Sequence, residues 1–379
     1  MKDRKVLLLY HYYHHHLMVE RLAESMRNYG VSVDVLCMDN FRLVRNNDFN
    51  LDSFLERLLS VLAKSKSQIL HRIIRKFFPN KLLQNLISQY DLIDFHAFSL
   101  DYIPYMRFAA EEGIPFDISL WGSDIMRAKD DTLIKKRWGF EKCRFIKCTE
   151  NLKQFLSGKY SGVFDSKVKI VYFGNSDYEV IDTIPPVTLQ DFRSKLLGER
   201  FDILVTCGYN GSEGQNHLEI IETLKSLPKD IKSRVTFLFP MTYGGSAKYH
   251  SIVNSALSDA QIHFFVIDRY ITTEEIATIR LASDVVVNIQ KTDAFSGSLQ
   301  GHLYCNNVLI VGEWLNYIAL DKAGVFYIKT PLSQLRDHLV EVIDDISSYR
   351  NRCVSNHFLM KQMTSWSAVI PIWAEAYKA

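Results

Sequence analysis

The stretch that decides the fold is Ile203-Leu-Val-Thr-Cys-Gly-Tyr-Asn-Gly-Ser-Glu-Gly-Gln-Asn-His-Leu-Glu-Ile-Ile-Glu-Thr-Leu-Lys225. Its first five residues read as a buried strand, and the residues from His217 onward as a helix. Between them Gly208, Gly211 and Gly214 let the backbone turn tightly and come close to a ligand. The helix that follows offers free N–H groups and a positive dipole end, which suit a phosphate. Asn210, Ser212, Asn216 and His217 add neutral donors. The loop is neither a Walker A motif nor GxGxxG, so a glycine-rich surface turn is the competing interpretation.

The same rhythm runs outward from this loop. Strands are expected at 235–240, 263–267, 285–289 and 308–311, helices at 217–227, 249–258 and 273–282, and a helix start at 298–304. Residues from about 331 to 379 read as helices. In the first half, strands are expected at 5–10, 31–37, 92–97, 116–121, 144–149 and 168–173, with helices at 17–29 and 102–112. The polar stretch 180–200, carrying Pro185 and Pro186, suggests a boundary. The expected architecture is therefore α/β, with two Rossmann-like parallel-sheet domains facing each other across a cleft and a helical tail. Residues 1–190 would form the first domain and 191–355 the second, with 356–379 packing back on the first.

Composition narrows the function. The 379 residues include 45 Lys plus Arg against 43 Asp plus Glu, a net charge of +2, which argues against a nucleic-acid binder. No apolar run is long enough to span a membrane, and 6–10 is too short for a signal-peptide core. The cysteines at 37, 143, 148, 207, 305 and 353 form neither a CxxC pair nor a zinc pattern. They are expected to be reduced thiols of a cytosolic protein.

Two further loops follow strands of the second half. Asp293-Ala-Phe-Ser-Gly-Ser298 offers a carboxylate for sugar hydroxyls and small residues (Ser296, Gly297, Ser298) at a helix start. A plain helix cap by Ser296 or Ser298 would give the same pattern. Phe239-Pro-Met-Thr-Tyr-Gly-Gly245 brings Tyr243 to a strand end. Parallel pairing would converge all three loops on one edge, as a nucleoside-diphosphate site requires.

The run from Arg269 to Ile310 resembles the donor domain of GT-B glycosyltransferases, closest in pattern to family 4. The resemblance implies that Asp293 takes the place of the family's first sugar-nucleotide glutamate. The second glutamate would fall at Gly301 and is missing, as are the family's Arg and Lys on the first loop. The endings Asn216-His-Leu-Glu219 and Phe239-Pro-Met-Thr-Tyr-Gly244 are similar instead to the transferases that add 4-acetamido-4,6-dideoxygalactose to enterobacterial common antigen lipid. Metal-independent transfer, with no cofactor beyond the nucleotide sugar, is implied; no DxD triplet of the metal-dependent type appears.

In the first half, Asp91-Leu-Ile-Asp-Phe-His-Ala97 and Leu120-Trp-Gly-Ser-Asp-Ile125 also resemble the GT-B pattern. His96 and Trp121 would then border the acceptor. Asp124, at a strand-end turn, is a candidate base, or else a helix cap. His11, His14, His15 and His16 fill the first strand–helix loop. His11 is expected at the acceptor and His14 or His15 as an alternative base; a metal site is disfavoured by the missing carboxylate or cysteine partner. Between Arg57 and Tyr90 there is no acid but seven basic residues, Arg72, Arg75 and Lys76 among them, interleaved with Leu, Ile and Phe. Such a stretch suits an anionic membrane surface or a lipid diphosphate, and equally a core-facing helix with a solvated basic face.

The sequence thus predicts a cytoplasmic, membrane-peripheral glycosyltransferase that moves a sugar to a glycan or lipid-linked glycan in bacterial-type surface polysaccharide synthesis. Two alternatives stay open. One is a sugar-nucleotide epimerase or hydrolase on the same frame; the other is a non-catalytic nucleotide- or glycan-binding protein.

Overall fold

The structure, a computed structural model, describes residues 4–11, 16–38, 42–44, 80–198 and 203–379. His14 and His15 lie outside the described residues, as do Arg72, Arg75 and Lys76 with most of the basic stretch. The chain divides into two units, Met1–Gly174 with Trp366–Ala379, and Asn175–Ser365.

The first unit contains β1 (Val6–Tyr10), β2 (Val33–Cys37), β3 (Arg42–Val44), β4 (Leu92–His96), β5 (Phe116–Ser119), β6 (Ile146–Cys148) and β7 (Val168–Ile170). They form one sheet in the order β3-β2-β1-β4-β5-β6-β7. All pairs are parallel except β2 with β3, a three-residue edge strand that the sequence pattern does not announce. Every residue of β1 is buried, as an unbroken apolar run covered on both faces should be. The helix Trp366–Lys378 completes this unit: Val369, Ile370, Trp373 and Tyr377 pack into the core built on β1, β2 and the helix His16–Asn28. Each such side chain stabilises the docking by roughly 1.5–3 kcal/mol.

A buried ionic cluster ties the same helix to the sheet. Lys147 Nζ lies 3.0 Å from Asp94 and 2.6 Å from Asp117. Arg144 donates to both oxygens of Asp117 at 3.0 and 2.8 Å, and also to the Ala376 carbonyl. The Tyr377 hydroxyl donates to Asp94 at 2.7 Å. Burial alone would raise the Asp94 carboxyl; the charges of Lys147 and His96 and the Tyr377 bond outweigh it and hold it well below the usual range.

The second unit contains β8 (Ile203–Cys207), β9 (Val235–Pro240), β10 (His263–Ile267), β11 (Val285–Asn288), β12 (Val308–Gly312) and β13 (Ile328–Thr330). Their order is β10-β9-β8-β11-β12-β13, all parallel. This is the doubly wound order in which crossovers reverse between the first and fourth strands. The reversal point lies between β8 and β11, the place where connections diverge and where open α/β sheets commonly bind ligands.

The division between units differs from the sequence-based boundary. Among the described residues of that stretch, Asp177–Ile181 and Pro186–Leu197 are helices of the second unit. Pro186 sits in the first turn of its helix, where a missing N–H costs nothing. Asn356–Thr364 also belongs to the second unit, so only the last helix returns to the first. No helix among the described residues is long and apolar enough to cross a membrane.

Candidate functional site

Three turns meet at the carboxyl edge of the second sheet, held by hydrogen bonds between them. The Gly211 N–H donates to the Tyr243 carbonyl at 2.6 Å, and the Lys291 N–H to the Gly214 carbonyl at 2.8 Å. Asn216 Nδ2 donates to the Ile289 carbonyl at 2.7 Å. The turn after β8, the turn after β9 and the turn after β11 are thereby one assembly. Gly208 adopts φ +69° and Asn216 φ +57°, the left-handed geometry that glycine and asparagine tolerate best.

Gln290 is the hub, and sequence reasoning missed it. Its Oε1 accepts from the Tyr209 hydroxyl at 3.2 Å and from Gln215 Nε2 at 3.0 Å; its carbonyl accepts from Trp314 Nε1 at 2.9 Å. Gln215 Oε1 in turn accepts from the Tyr209 N–H at 3.1 Å. A neutral amide two residues past a strand carries no pattern of its own. Only its place at the reversal point between β8 and β11 marks it.

The third loop is strained and clamped. Phe295, almost fully buried, adopts φ +82°, costly for a bulky side chain and characteristic of functional turns. Its carbonyl accepts from Gln300 Nε2 at 2.9 Å. Ser296 is the cap of the helix Gly297–Tyr304, accepting from the Leu299 N–H. Asp293 braces that cap: its Oδ1 accepts from the Ser296 N–H at 2.9 Å, and its Oδ2 from the Ser296 hydroxyl at 3.0 Å and the Tyr317 hydroxyl at 2.8 Å. Tyr317 also accepts from Asn288 Nδ2 at 3.2 Å. Burial and the adjacent Asp293 push the Tyr317 hydroxyl far above its ordinary range, so it stays a donor. Of the two readings the sequence offered for this loop, the helix cap by Ser296 is present, and the Asp293 carboxylate stands behind it. Gly297 is exposed and Ser298 half-buried at the first turn.

The missing glutamate at Gly301 has a packing cause. A Cβ there would lie 2.6 Å from three atoms of the Arg280 guanidinium. Arg280 is buried and paired with Asp177, so it does not yield.

Buried polar atoms without a protein partner gather at this edge. Among the described residues of the second unit they are Asn216 Oδ1, His217 Nε2, His250 Nε2, Asn288 Oδ1, Gln290 Nε2 and Gln300 Oε1. Each such atom costs on the order of 1–3 kcal/mol unless something satisfies it. His217 Nε2 and His250 Nε2 pack beneath the glycine turns, within 3.2 Å of where a Cβ on Gly208, Gly211 or Gly245 would stand. Asn210 instead spends its Oδ1 on the Ser212 N–H at 2.9 Å, shaping the turn. The Tyr243 side chain is largely exposed at the rim.

His217 is wholly buried, 3.3 Å from the Tyr249 hydroxyl through Nδ1. Burial, aided by His250, lowers it to about 4; burial, aided by Arg280, lowers His302 to about 3. Both rings are therefore neutral at pH 7 and act as polar, uncharged groups. A folded value below the unfolded ~6.5 means that the unfolded chain takes up protons first. The stability these rings confer is complete above pH 6.5 and lost as pH falls toward 4, by up to about 1.4 kcal/mol per unit for each. Thermal melts of wild type and His302→Gln between pH 7 and 4 should converge on acidification. A constant difference between them would remove His302 from this account.

In the first unit the expected acceptor residues separate. His96 has no exposed surface; it lies 3.3 Å from Asp94 and stacks on Trp373 under the last helix. The acceptor role expected for it is corrected by that placement, because β4 turns this side chain inward. Trp121 packs on Phe173, ring centroids 4.2 Å apart, and remains partly exposed. His11 stacks on Tyr102 at 4.9 Å. Asp124 accepts main-chain N–H groups from Trp121 (3.0 Å), Gly122 (2.8 Å) and Phe98 (2.9 Å). Its Oδ1 holds the Gly122 turn, where φ is +105°, and its Oδ2 ties that turn to Phe98 after β4. Burial raises its carboxyl against the opposing pull of Lys136 and those N–H groups. The geometry makes Asp124 a clamp that joins the Gly122 turn to the chain after β4. Among the described residues no three His, Cys, Asp or Glu group as metal ligands.

No family model and no curated protein matches the chain. Its fold is similar to solved structures along the whole length. HepE of Anabaena, in complex with UDP and glucose, aligns with a TM-score of 0.72 at 12% identity, covering 99% of both chains. A glycosyltransferase of Rickettsia africae aligns with a TM-score of 0.72 at 12% identity, covering 100% of this chain and 98% of that one. Sucrose-phosphate synthase of Thermosynechococcus elongatus aligns with a TM-score of 0.70 at 12% identity, covering 99% and 98%. The fold is that of the GT-B class, two parallel-sheet α/β units with a helical C-terminal region.

Proposed function

We propose that the chain is a glycosyltransferase whose second unit holds a nucleoside-diphosphate sugar at the three joined turns. The observation that carries this is the hydrogen-bonded joining of the turns after β8, β9 and β11 beside the reversal point between β8 and β11. Gly208–His217 and Ser296–Ser298 would meet the diphosphate with amides, hydroxyls and a helix start. Leaving-group charge is then stabilised by fixed dipoles. Asp293 positions that helix start, and its oxygens are fully engaged in doing so. Transfer without a metal fits this donor set of amides and hydroxyls.

UDP is the first nucleotide to try, because HepE is crystallised with it. The dideoxygalactose donor and the surface-polysaccharide role rest on the loop resemblance alone. An anionic membrane surface and a lipid-linked acceptor at the cytoplasmic face rest on the composition of residues 57–90.

The test is thermal unfolding with UDP, GDP, dTDP and CMP in EDTA, followed by nucleotide release from the matching sugar donors. A ligand at a hundred times its dissociation constant stabilises the fold by about 2.7 kcal/mol. That is a rise of several degrees at about 2–4 °C per kcal/mol. No shift with any nucleotide ends the proposal. Release of free sugar that ignores every acceptor replaces transfer with the epimerase or hydrolase alternative.

A further inference from the structure

The opposite edge of the second sheet holds a cavity of about 520 Å³ that the nucleotide turns do not use. It lies where the strands begin. Asp284 precedes β11 and Asn307 precedes β12. Cavities of this size accommodate small metabolites.

Its charge is unbalanced. Asp284 is the one acid among the described lining residues, and it faces two guanidiniums. It is buried, and its Oδ2 accepts the Leu204 N–H at 2.7 Å. Arg193 grips both its oxygens at 3.1 Å and also donates to the Ala282 carbonyl. Arg350 pairs with Asp284 through one nitrogen while half of its side-chain surface stays exposed. One carboxylate against two guanidiniums, which remain charged at any working pH, leaves one positive charge. Ser283, Asn306, Asn307 and Asn351 add polar groups to a wall that also carries Leu281, Cys305 and Val354. Arginine beside amide and hydroxyl groups is the chemistry that recognises planar or tetrahedral oxyanions bearing hydroxyls.

We propose that this cavity is a second ligand site, taking a small polar oxyanion, with Arg350 as its principal contact. Arg193 acts through Asp284, holding the pair in place. The shared chemistry is a phosphate or a carboxylate on a small hydroxylated molecule.

Isothermal titration at constant ionic strength with inorganic phosphate, glucose 6-phosphate and citrate separates the sources. Wild type should bind at least one of the three, and the strongest of them names the class. Arg350→Gln should weaken that probe at least tenfold. Asn351→Asp places a negative charge on the wall without touching the Asp284 pair; it should weaken the probe similarly even where Arg350→Gln fails to fold. Wild-type heats equal to those of chloride overturn the proposal, as does undiminished binding in folded Asn351→Asp. UDP response, read in parallel, belongs to the other edge of the sheet and should survive both variants.

Discussion

Asp293→Asn should lower nucleotide release from the preferred sugar donor by about 10²–10³-fold, the scale of losing one preorganised electrostatic element at a reacting centre. The carboxylate accepts from three donors, two on Ser296 and one on Tyr317. An amide of the same shape accepts with one oxygen only, so its NH2 faces either the Ser296 N–H or the two hydroxyls of Ser296 and Tyr317, all of which donate. Tyr317 has a single proton, and its oxygen already accepts from Asn288, so it is poorly placed to accept the new NH2 as well. One buried donor is therefore left unpaired, costing about 1–3 kcal/mol of stability. The helix start at Gly297 loses its brace, and the dipoles aimed at the leaving group move. Tyr317→Phe removes one of the three bonds and should give a smaller loss of the same kind. Nucleotide release and thermal melting, measured on both variants, check the order. Wild-type release from a folded Asp293→Asn enzyme would take the residue out of the site.

The alternation of strands and helices was legible because fully covered parallel strands must be apolar throughout, as Val6–Tyr10 and Val308–Gly312 are. The convergence of the three turns was legible for the same reason, since a loop that follows such a strand emerges at one known edge. What the sequence hid was nonlocal. The crossing at Gly174 and Asn175 has no composition of its own, whereas Pro185 and Pro186 look like a linker but start a helix. His96 ends a strand as a ligand-facing histidine would, yet its surroundings are Trp373 and Asp94, and Trp373 is 277 positions away. Gln290 and Tyr317 are ordinary residues until the sheet order brings them beside Tyr209 and Asp293. Gly301 read as a lost glutamate, and only the buried Arg280 explains why no side chain stands there.

Gly245→Ala should be the most damaging single methyl in the second unit. At Gly245 the added carbon would sit inside contact distance of the Gly211 carbonyl oxygen and of His250 Nε2. A side chain alone could rotate away, but the Gly211 carbonyl is main chain. It also belongs to the residue whose N–H holds the Tyr243 carbonyl at 2.6 Å. Relief therefore requires the turn after β9 to part from the turn after β8. Overpacking of this kind costs typically ~1–3 kcal/mol, a drop of several degrees in melting temperature. The larger consequence is at the ligand edge, because the two turns are useful only while joined. Nucleotide-induced stabilisation should vanish while the far-ultraviolet circular dichroism stays that of a folded α/β chain. Gly158→Ala is the control: it lies in the helix Glu150–Tyr160 of the first unit with nothing within 4 Å of the added carbon, so its fold and nucleotide response should stay close to wild type. Equal nucleotide shifts in Gly245→Ala and wild type would mean that the joined turns do not form the binding surface.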